Sequence, residues 1–178
     1  IRFDRFYTPA GVCSATRSAI VTGMMQTSIG AHNHRSCRAK FRGENMGEYD
    51  RNVLDILTIP EIFRKNGYWT ANHSKDDYNF NWDSNKLYDY GKQSRLNPDA
   101  FTSGKMLEGR GGKPFFMQIQ LHGGKGTTVG YREIKSEDVE VPPYYPDIDS
   151  VRSLIARHYN CLLRTDKEVG QIVQYLKQ

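Results

Sequence analysis

The chain has 178 residues, of which 38% are hydrophobic and 25% are charged, a composition typical of a globular protein rather than of a disordered or membrane-embedded one. Because no run approaches the roughly 18 apolar residues of a membrane helix, the sequence predicts no transmembrane span. The formal net charge is +5, which suits either an anionic ligand or a basic solvated face.

The basic residues are densest in the segment HRSCRAKFRGEN (34–45). Phe41 is the one aromatic residue of this segment, which is not enough for an aromatic stacking platform, and no zinc-finger or RNP-type motif is present, so we expect no nucleic-acid partner. The three cysteines, Cys13, Cys37 and Cys161, are an odd number at wide spacing. This pattern indicates neither a disulfide framework nor a structural zinc site, although one pair could still form a bridge in a secreted protein.

The first predicted elements are a strand and a helix. IRFDRFYT (1–8) alternates apolar and charged residues at its start, as in a strand near an exposed edge. SATRSAIVTG (14–23) contains good helix formers and ends in Gly23, a typical C-terminal stop.

A second helix has clear start and stop signals. Thr58 and Glu61 form a capping-box pattern, Pro60 is tolerated in the first turn, and Gly67 stands where a left-handed cap is expected. A strand, YWTANH (68–73), follows at once and leads into a polar loop.

The next strand is predicted at PFFMQIQL (114–121), which ends in a Gly-rich turn. Helices that alternate with strands ending in polar loops are the unit of a doubly wound α/β sheet. Since ligands in such sheets lie outside the carboxyl ends of the strands, Lys75 and His122 are both expected at that edge.

Two further segments complete the chain. Residues 81–112 are polar and rich in Gly, Ser and Asn, and we interpret them as a long surface excursion with one short helix. Apolar residues from Val151 to Leu176 recur at helical spacing and predict one long helix. Cys161 and His158 on that helix are expected to be packing residues.

Cys13 and Arg17 form the most informative pair. Cys13 lies at a predicted loop-to-helix junction, where unpaired amide groups and the helix dipole favour an anion. Arg17 is one turn further on the same face. The pair therefore describes a candidate anion-binding nucleophile, while a small buried cysteine beside a surface arginine remains the structural alternative.

Tyr7 to Gly23, YTPAGVCSATRSAIVTG, resembles the signature of the type I sulfatases, in which C-x-P-x-R or C-x-A-x-R precedes a short helix ending in Thr-Gly. HSKDDYNF and PFFMQIQLHGGK follow in the family's order, and the resemblance extends over essentially all 178 residues. It implies an alkaline-phosphatase-like fold, that is, a doubly wound, mixed or mostly parallel sheet flanked by helices and incomplete in this chain. Within the family, the resemblance is to heparan N-sulfatase-like and arylsulfatase-like members.

The resemblance also implies roles for individual residues. In the family the cysteine is oxidised to formylglycine, so Cys13 would supply the hydroxyl that attacks sulfur and would also contact the metal. Arg17 would hold the diol of the hydrated aldehyde. Lys75 and His122 would contact the sulfate and stabilise the leaving oxygen, and Lys125 is a further candidate for substrate binding.

The chain departs from the family pattern in two places. Ala15 stands where the commonest signature has Pro, so either a formylglycine-generating or an anaerobic sulfatase-maturing enzyme could be the partner that modifies Cys13. Asp77 stands two residues after Lys75, where many members carry the histidine that acts as the base for sulfate elimination. Either Asp77 or His34, from the GAHNHR loop, is expected to take that role.

Family members bind Ca²⁺, or sometimes Mg²⁺, through two pairs of acidic and amide residues. The chain contains no Asp-Asn-Gly motif, which would indicate the second of these pairs. Its first residue is Ile1 rather than Met. We therefore expect residues 1–178 to be part of a sulfatase catalytic domain, with the N-terminal metal-binding strand, the C-terminal half and most metal ligands outside it. The intact protein is expected to be exported, and the isolated fragment to be inactive.

The predicted function is hydrolysis of sulfate esters or sulfamates, with a sulfated carbohydrate as substrate. One alternative is a phosphatase or phosphonate hydrolase of the same superfamily, because a phosphate group fits the same kind of cavity. The other is a sulfated-glycan-binding protein without catalytic activity, which Asp77 and the basic segment 34–45 motivate.

Overall fold

The computed structural model describes residues 3–33, 39–41, 44–46, 55–73, 75–91, 105–121 and 133–177. The chain divides into two units by its internal contacts. The first comprises residues 1–96 and 106–119, and the second comprises residues 97–105 and 120–178.

The first helix, α1 (Cys13–Thr22), confirms the sequence prediction. Val12 precedes it with an extended backbone, and Gly23 ends it with φ at 67°, a left-handed conformation that glycine adopts without steric cost. The strand predicted over residues 1–8 is wrong, because residues 3–8 form no strand. Phe3 and Phe6 are 69% and 77% exposed; in the described part of the chain no strand pairs with this segment to cover them.

The second helix of the first unit, α2 (Ile59–Lys65), has the predicted caps. Both reciprocal bonds of the capping box between Thr58 and Glu61 are present. Gly67 has φ at 82°, and the chain then turns directly into β3 (Trp69–His73).

Two parallel strands position the candidate site. β3 pairs with β4 (Phe115–Ile119) in the register Trp69↔Phe115 to His73↔Ile119, and a bridge from Ala71 to Tyr90 extends the other edge of β3. Residues 70–73 are all buried, as expected of a parallel strand covered on both faces. Both predicted strands are present, and their parallel pairing is the one expected of an α/β sheet; their carboxyl ends lie at the same edge.

In the segment predicted to be a polar surface excursion, residues 81–112, the described parts are more buried than expected. It contains α3 (Ser84–Leu87) and a 3₁₀ turn at Lys105–Leu107. Leu87, Tyr88 and Met106 are at most 3% exposed. The predicted short helix is present as α3, but the burial of these three residues is not predicted. They follow no helical or strand period, so only tertiary contacts show that they are core.

The core cluster of the first unit joins this segment to α1. Its buried members are Val21, Tyr78, Phe80, Leu87 and Tyr88, with Trp82 packed against them. The first unit also contains a short antiparallel pair, β1 (Ala39–Phe41) and β2 (Glu44–Met46).

The second unit is built around one long helix, α4 (Asp149–Leu176), which confirms the helix predicted for residues 151–176. Its buried Asn160 accepts hydrogen bonds from the backbone amides of Glu133 and Ile134 and donates to the carbonyl of Ile134. Cys161 is buried as predicted, but His158 is exposed, so its assignment to packing is wrong. In the part of the chain that the structure describes, no helix is long and apolar enough to cross a membrane.

Candidate active site

Cys13 is the first residue of α1 and is partly exposed. The turn around it is fixed by Thr16, whose hydroxyl donates to the carbonyl of Ala10 at 2.7 Å and whose amide donates to the carbonyl of Val12 at 3.0 Å. These bonds present the thiol at the start of the helix, where the first amide groups and the helix dipole favour negative charge.

Lys75 and Asp77 bring a cation and a carboxylate to the thiol. Lys75 Nζ donates to Cys13 Sγ at 3.2 Å and to Asp77 Oδ2 at 3.0 Å, while Cys13 Sγ lies 3.6 Å from Asp77 Oδ2. The Lys75 and Asp77 side chains are 33% and 20% exposed. The three side chains therefore form a closed triangle that solvent and a ligand can still reach.

Two contacts connect the loop after β3 to α1. Arg17 Nη1 donates to the carbonyl of Lys75 at 2.9 Å, and the hydroxyl of Ser18, one residue further, accepts the backbone amide of Asn79 at 2.8 Å. In this structure Arg17 therefore helps to position the segment that carries Lys75.

Among the described non-glycine residues, only Asp77 has a positive φ, at 45°. Its amide donates to Asp76 Oδ1 at 2.7 Å, and the indole N–H of Trp82 donates to Asp76 Oδ2 at 3.1 Å. Asp76 thus connects Trp82 to the turn that directs the Asp77 carboxylate at Cys13.

The charges of the triangle support one another. Partial burial opposes the charged form of Lys75, but its hydrogen bonds to Asp77 and Cys13 and their negative charge outweigh this and raise its pKa. Burial raises the pKa of Tyr78, and the charge of Asp76 adds to this effect. Lys75 therefore stays cationic at neutral pH, and Tyr78 stays uncharged.

The structure brings together four of the residues that the sequence identified: Cys13, Arg17, Lys75 and Asp77. The other candidates, His34, His122 and Lys125, lie outside the described residues.

The residues that support the triangle, Ser18, Asp76, Asn79 and Trp82, are not predicted from the sequence. The sequence does contain one signal for the turn that Asp76 supports. Two aspartates follow Lys75 directly, and Asp and Asn are the non-glycine residues that most readily take the left-handed conformation.

The described residues do not form a metal site. No group of three or more His, Cys, Asp or Glu side chains among them could hold an ion. Asp77 pairs with Lys75, and both oxygens of Asp76 accept N–H groups. These carboxylates therefore do not fit the cage of several oxygen ligands that calcium requires.

Comparisons with known proteins find sulfatases. An ulvan-active sulfatase of Formosa agariphila is 24% identical over 98% of this chain and 34% of its own length. A second sulfatase of that organism is 27% identical over 64% of this chain and 23% of its own length. The chain thus spans about a third of the length of the ulvan-active sulfatase.

A solved Bacteroides thetaiotaomicron sulfatase, described in connection with the metabolism of multiple glycosaminoglycans, has 16% identity and a TM-score of 0.67. The match covers 96% of this chain and 47% of that one. This likeness shows the alkaline-phosphatase-like fold, present here in part. A Sulfatase family model matches residues 1–178, and the chain belongs to the sulfatase family.

Proposed function

We propose that the protein hydrolyses sulfate esters or sulfamates on a carbohydrate, with residue 13 as the nucleophile. The observation that carries the proposal is the triangle of Cys13, Lys75 and Asp77 at the start of a helix, within the sulfatase signature. The matched relatives support the substrate class, since one is an ulvan-active sulfatase.

Residue 13 acts after conversion of Cys13 to formylglycine, and its surroundings fit that group. Its side chain is partly exposed, lies at a helix N-terminus and contacts both a cation and a carboxylate. When hydrated, formylglycine supplies one hydroxyl that attacks sulfur and a second whose proton is lost when sulfate is expelled. The maturing partner is a formylglycine-generating or an anaerobic sulfatase-maturing enzyme.

Lys75 binds the sulfate group and stabilises the oxygen that leaves when the sulfur–oxygen bond to the sugar breaks. Its ammonium group already contacts the position of the nucleophile at 3.2 Å. Arg17 holds the Lys75 backbone and, in the role implied by the family, the diol. His122 and Lys125 are proposed as further contacts to the substrate.

Asp77 is proposed as the base that takes the proton from the second hydroxyl. Its carboxylate lies 3.6 Å from Cys13 Sγ and replaces the imidazole that many family members carry two residues after the lysine. His34 is the alternative base; the short distance between the Asp77 carboxylate and Cys13 Sγ supports Asp77.

Calcium, with magnesium as the alternative, is a further expectation of the family resemblance. Because the described acidic side chains do not fit such an ion, no step is assigned to it. Export to the periplasm, the extracellular space or the lysosome is part of the proposal, since sulfated polysaccharides lie in those compartments.

The proposal is tested first by mass spectrometry of the peptide that contains residue 13, in protein expressed from its complete reading frame in its native host. The expected result is the mass of formylglycine together with hydrolysis of an aryl sulfate. Cys13→Ala, which cannot form the aldehyde, is expected to abolish turnover. An unmodified thiol and no turnover in the natural protein would contradict the proposal.

Matched substrates separate the alternatives. Faster turnover of an aryl phosphate than of the corresponding sulfate would indicate a phosphatase or phosphonate hydrolase. Salt-sensitive heparin binding that survives Cys13→Ala, without hydrolysis at any pH, would indicate a non-catalytic binder. Oligosaccharides from ulvan and from chondroitin sulfate, here called the two test sets, are the natural substrates to screen.

The role of Asp77 is tested with Asp77→Asn. We expect turnover to fall by a factor on the order of 10² to 10⁴, and the peptide containing residue 13 to retain the mass of one SO₃ group. Asp55→Asn, at an exposed position of the same unit, is the matched control and should keep full turnover. Loss of turnover without the added mass would assign the base role to another residue.

A further inference from the structure

A cavity of about 290 Å³ lies in the first unit, and one of its lining residues, Trp82, also contacts Asp76. Trp82 supplies a partly exposed aromatic ring to its lining, while Phe80 belongs to the buried core behind it. The polar side chains that line the cavity include Glu61, Asn81 and Lys86. Its volume is close to the lower end of small-ligand pockets, roughly 300 Å³. The cavity therefore has room for one ring rather than for a chain segment.

The lining matches the chemistry of a sugar ring. Trp82 is partly exposed, and its ring is held edge-on to Tyr78, with centroids 5.5 Å apart. Such a fixed aromatic face packs against the C–H groups on one side of a pyranose. Asn81 and Lys86 are exposed donors, and the carboxylates of Glu61 and Asp83 are acceptors; both kinds of group suit hydroxyls.

The charges of the cavity favour a ring rich in hydroxyl groups over a free anion. Two carboxylates and one ammonium group line it, so no excess of positive charge is available for phosphate or sulfate. One oxygen of each carboxylate already accepts a backbone amide at the start of a helix. Glu61 accepts the amide of Thr58, and Asp83 accepts the amide of Asn85. These bonds hold the acceptors in fixed positions at the rim.

A chain of short contacts connects the cavity to the triangle of Cys13, Lys75 and Asp77. Trp82 Nε1 donates to Asp76 at 3.1 Å, Asp76 accepts the Asp77 amide at 2.7 Å, and the Asp77 carboxylate contacts Lys75 at 3.0 Å. A ring packed on Trp82 would thus lie next to the loop that holds the sulfate-binding lysine.

We propose that this cavity binds a sugar unit of the substrate that neighbours the sulfated one, with Trp82 as the stacking platform and Asn81 and Lys86 as hydroxyl ligands. This inference rests on the proposed carbohydrate sulfatase function. It assigns to residues 80–86 a part in selecting oligosaccharides over simple sulfate esters.

The first test compares two substrates in protein from the complete reading frame. For each protein, kcat/KM for the preferred test set is divided by kcat/KM for an aryl sulfate. Lys86→Ala and Asn81→Ala are each expected to lower this ratio about tenfold. Lys65→Ala, the matched control at the exposed end of α2, should leave this ratio unchanged. An unchanged ratio in both cavity variants, with the aryl sulfate still hydrolysed, overturns the inference and leaves the proposed function intact.

The second test measures binding without chemistry. Desulfated oligosaccharides of the two test sets are titrated into the protein by calorimetry, and Lys86→Ala is expected to weaken binding about tenfold relative to Lys65→Ala. No binding to the natural protein overturns the inference. Binding that depends on Lys86, in a protein that hydrolyses no sulfate ester, supports the sugar site while contradicting the proposed function.

Discussion

Asp77 places its carboxylate at the thiol through an unusual backbone conformation. With φ at 45°, it occupies the left-handed region, which costs most residues about 1–2 kcal/mol but is less costly for Asp and Asn. The bond from its amide to Asp76 compensates part of that cost. Residues held in this region often lie at functional sites, where the surrounding contacts determine their geometry, and here those contacts come from Asp76 and Trp82.

Substitutions at Asp77 should separate the cost of the backbone from the loss of the carboxylate. Both Asp77→Ala and Asp77→Gly remove the contacts to Lys75 and Cys13, but only alanine retains a Cβ that opposes the left-handed conformation. We expect Asp77→Ala to be less stable than Asp77→Gly by about 1 kcal/mol, measured by urea unfolding. Equal stability of the two variants would show that the turn relaxes when the carboxylate is lost.

At the scale of elements, helix ends determine where the strands begin. The capping box fixes the start of α2, and Gly67 reverses the chain after it. The amide of Tyr68 then bonds back to the carbonyl of Phe63 at 3.1 Å, so β3 starts at Trp69. Lys75 follows β3 by two residues. The residue at which α2 ends therefore helps to determine where Lys75 lies.

Removing the capping box should therefore destabilise the first unit. Glu61→Ala removes the carboxylate that accepts the Thr58 amide at 2.8 Å, and we expect a loss of about 1 kcal/mol in the free energy of unfolding. Glu61→Gln, which can still accept that bond, should recover most of the loss. If glutamine were as damaging as alanine, the negative charge near the helix N-terminus would be the dominant contribution instead.

The start of α4 carries a pH-dependent ion pair. Arg152 donates from Nη2 to Asp147 at 2.7 Å and also from Nε to the same carboxylate; this hydrogen bonding lowers the pKa of Asp147. Because the folded-state pKa is depressed, the stabilisation is present above the unfolded pKa of about 3.9 and is lost as pH falls through the folded value. We expect Arg152→Ala to remove this acid-dependent part of the stability, measured by circular dichroism between pH 2 and 6 (about the range of carboxyl titration).

The control for this pair is Lys177→Ala, at the exposed C-cap of the same helix, which should keep the acid dependence of the natural protein. Both members of the Asp147–Arg152 pair are at the surface, so salt should weaken its effect. An acid transition that is identical with and without Arg152 would mean that other carboxylates govern it.

For the whole molecule, the sequence predicts the regular elements better than the contacts between them. α1, α2, β3, β4 and α4 follow from caps and hydrophobic periodicity, which are local signals. Cys13, Arg17 and Lys75 were grouped correctly because a known signature and the order of strand ends fix their positions. The bond from Trp82 to Asp76, the left-handed turn at Asp77 and the burial of Met106 arise from tertiary packing, which leaves no periodic pattern in the sequence.

One tertiary feature of the second unit is the exposed apolar face of α4. Its buried residues are Ala156, Asn160 and Cys161, whereas Leu162, Val169, Val173 and Leu176 are each 42–45% exposed. Their spacing of seven, four and three residues places them on one face of the helix. Contiguous apolar surface of this kind favours association or dye binding in water.

We therefore expect the 178-residue chain, produced by itself, to bind a hydrophobic dye and to self-associate through this face. The double substitution Val169→Glu and Val173→Glu should lower dye fluorescence and raise the monomer fraction in sedimentation, without loss of helix content, because both side chains are already exposed. Gln171→Glu, at an exposed position between them that points away from the stripe, adds negative charge without changing the apolar face. Equal effects of this control and of the double variant would attribute the change to net charge, whereas an effect confined to the double variant would identify the apolar face of α4 as the surface that associates.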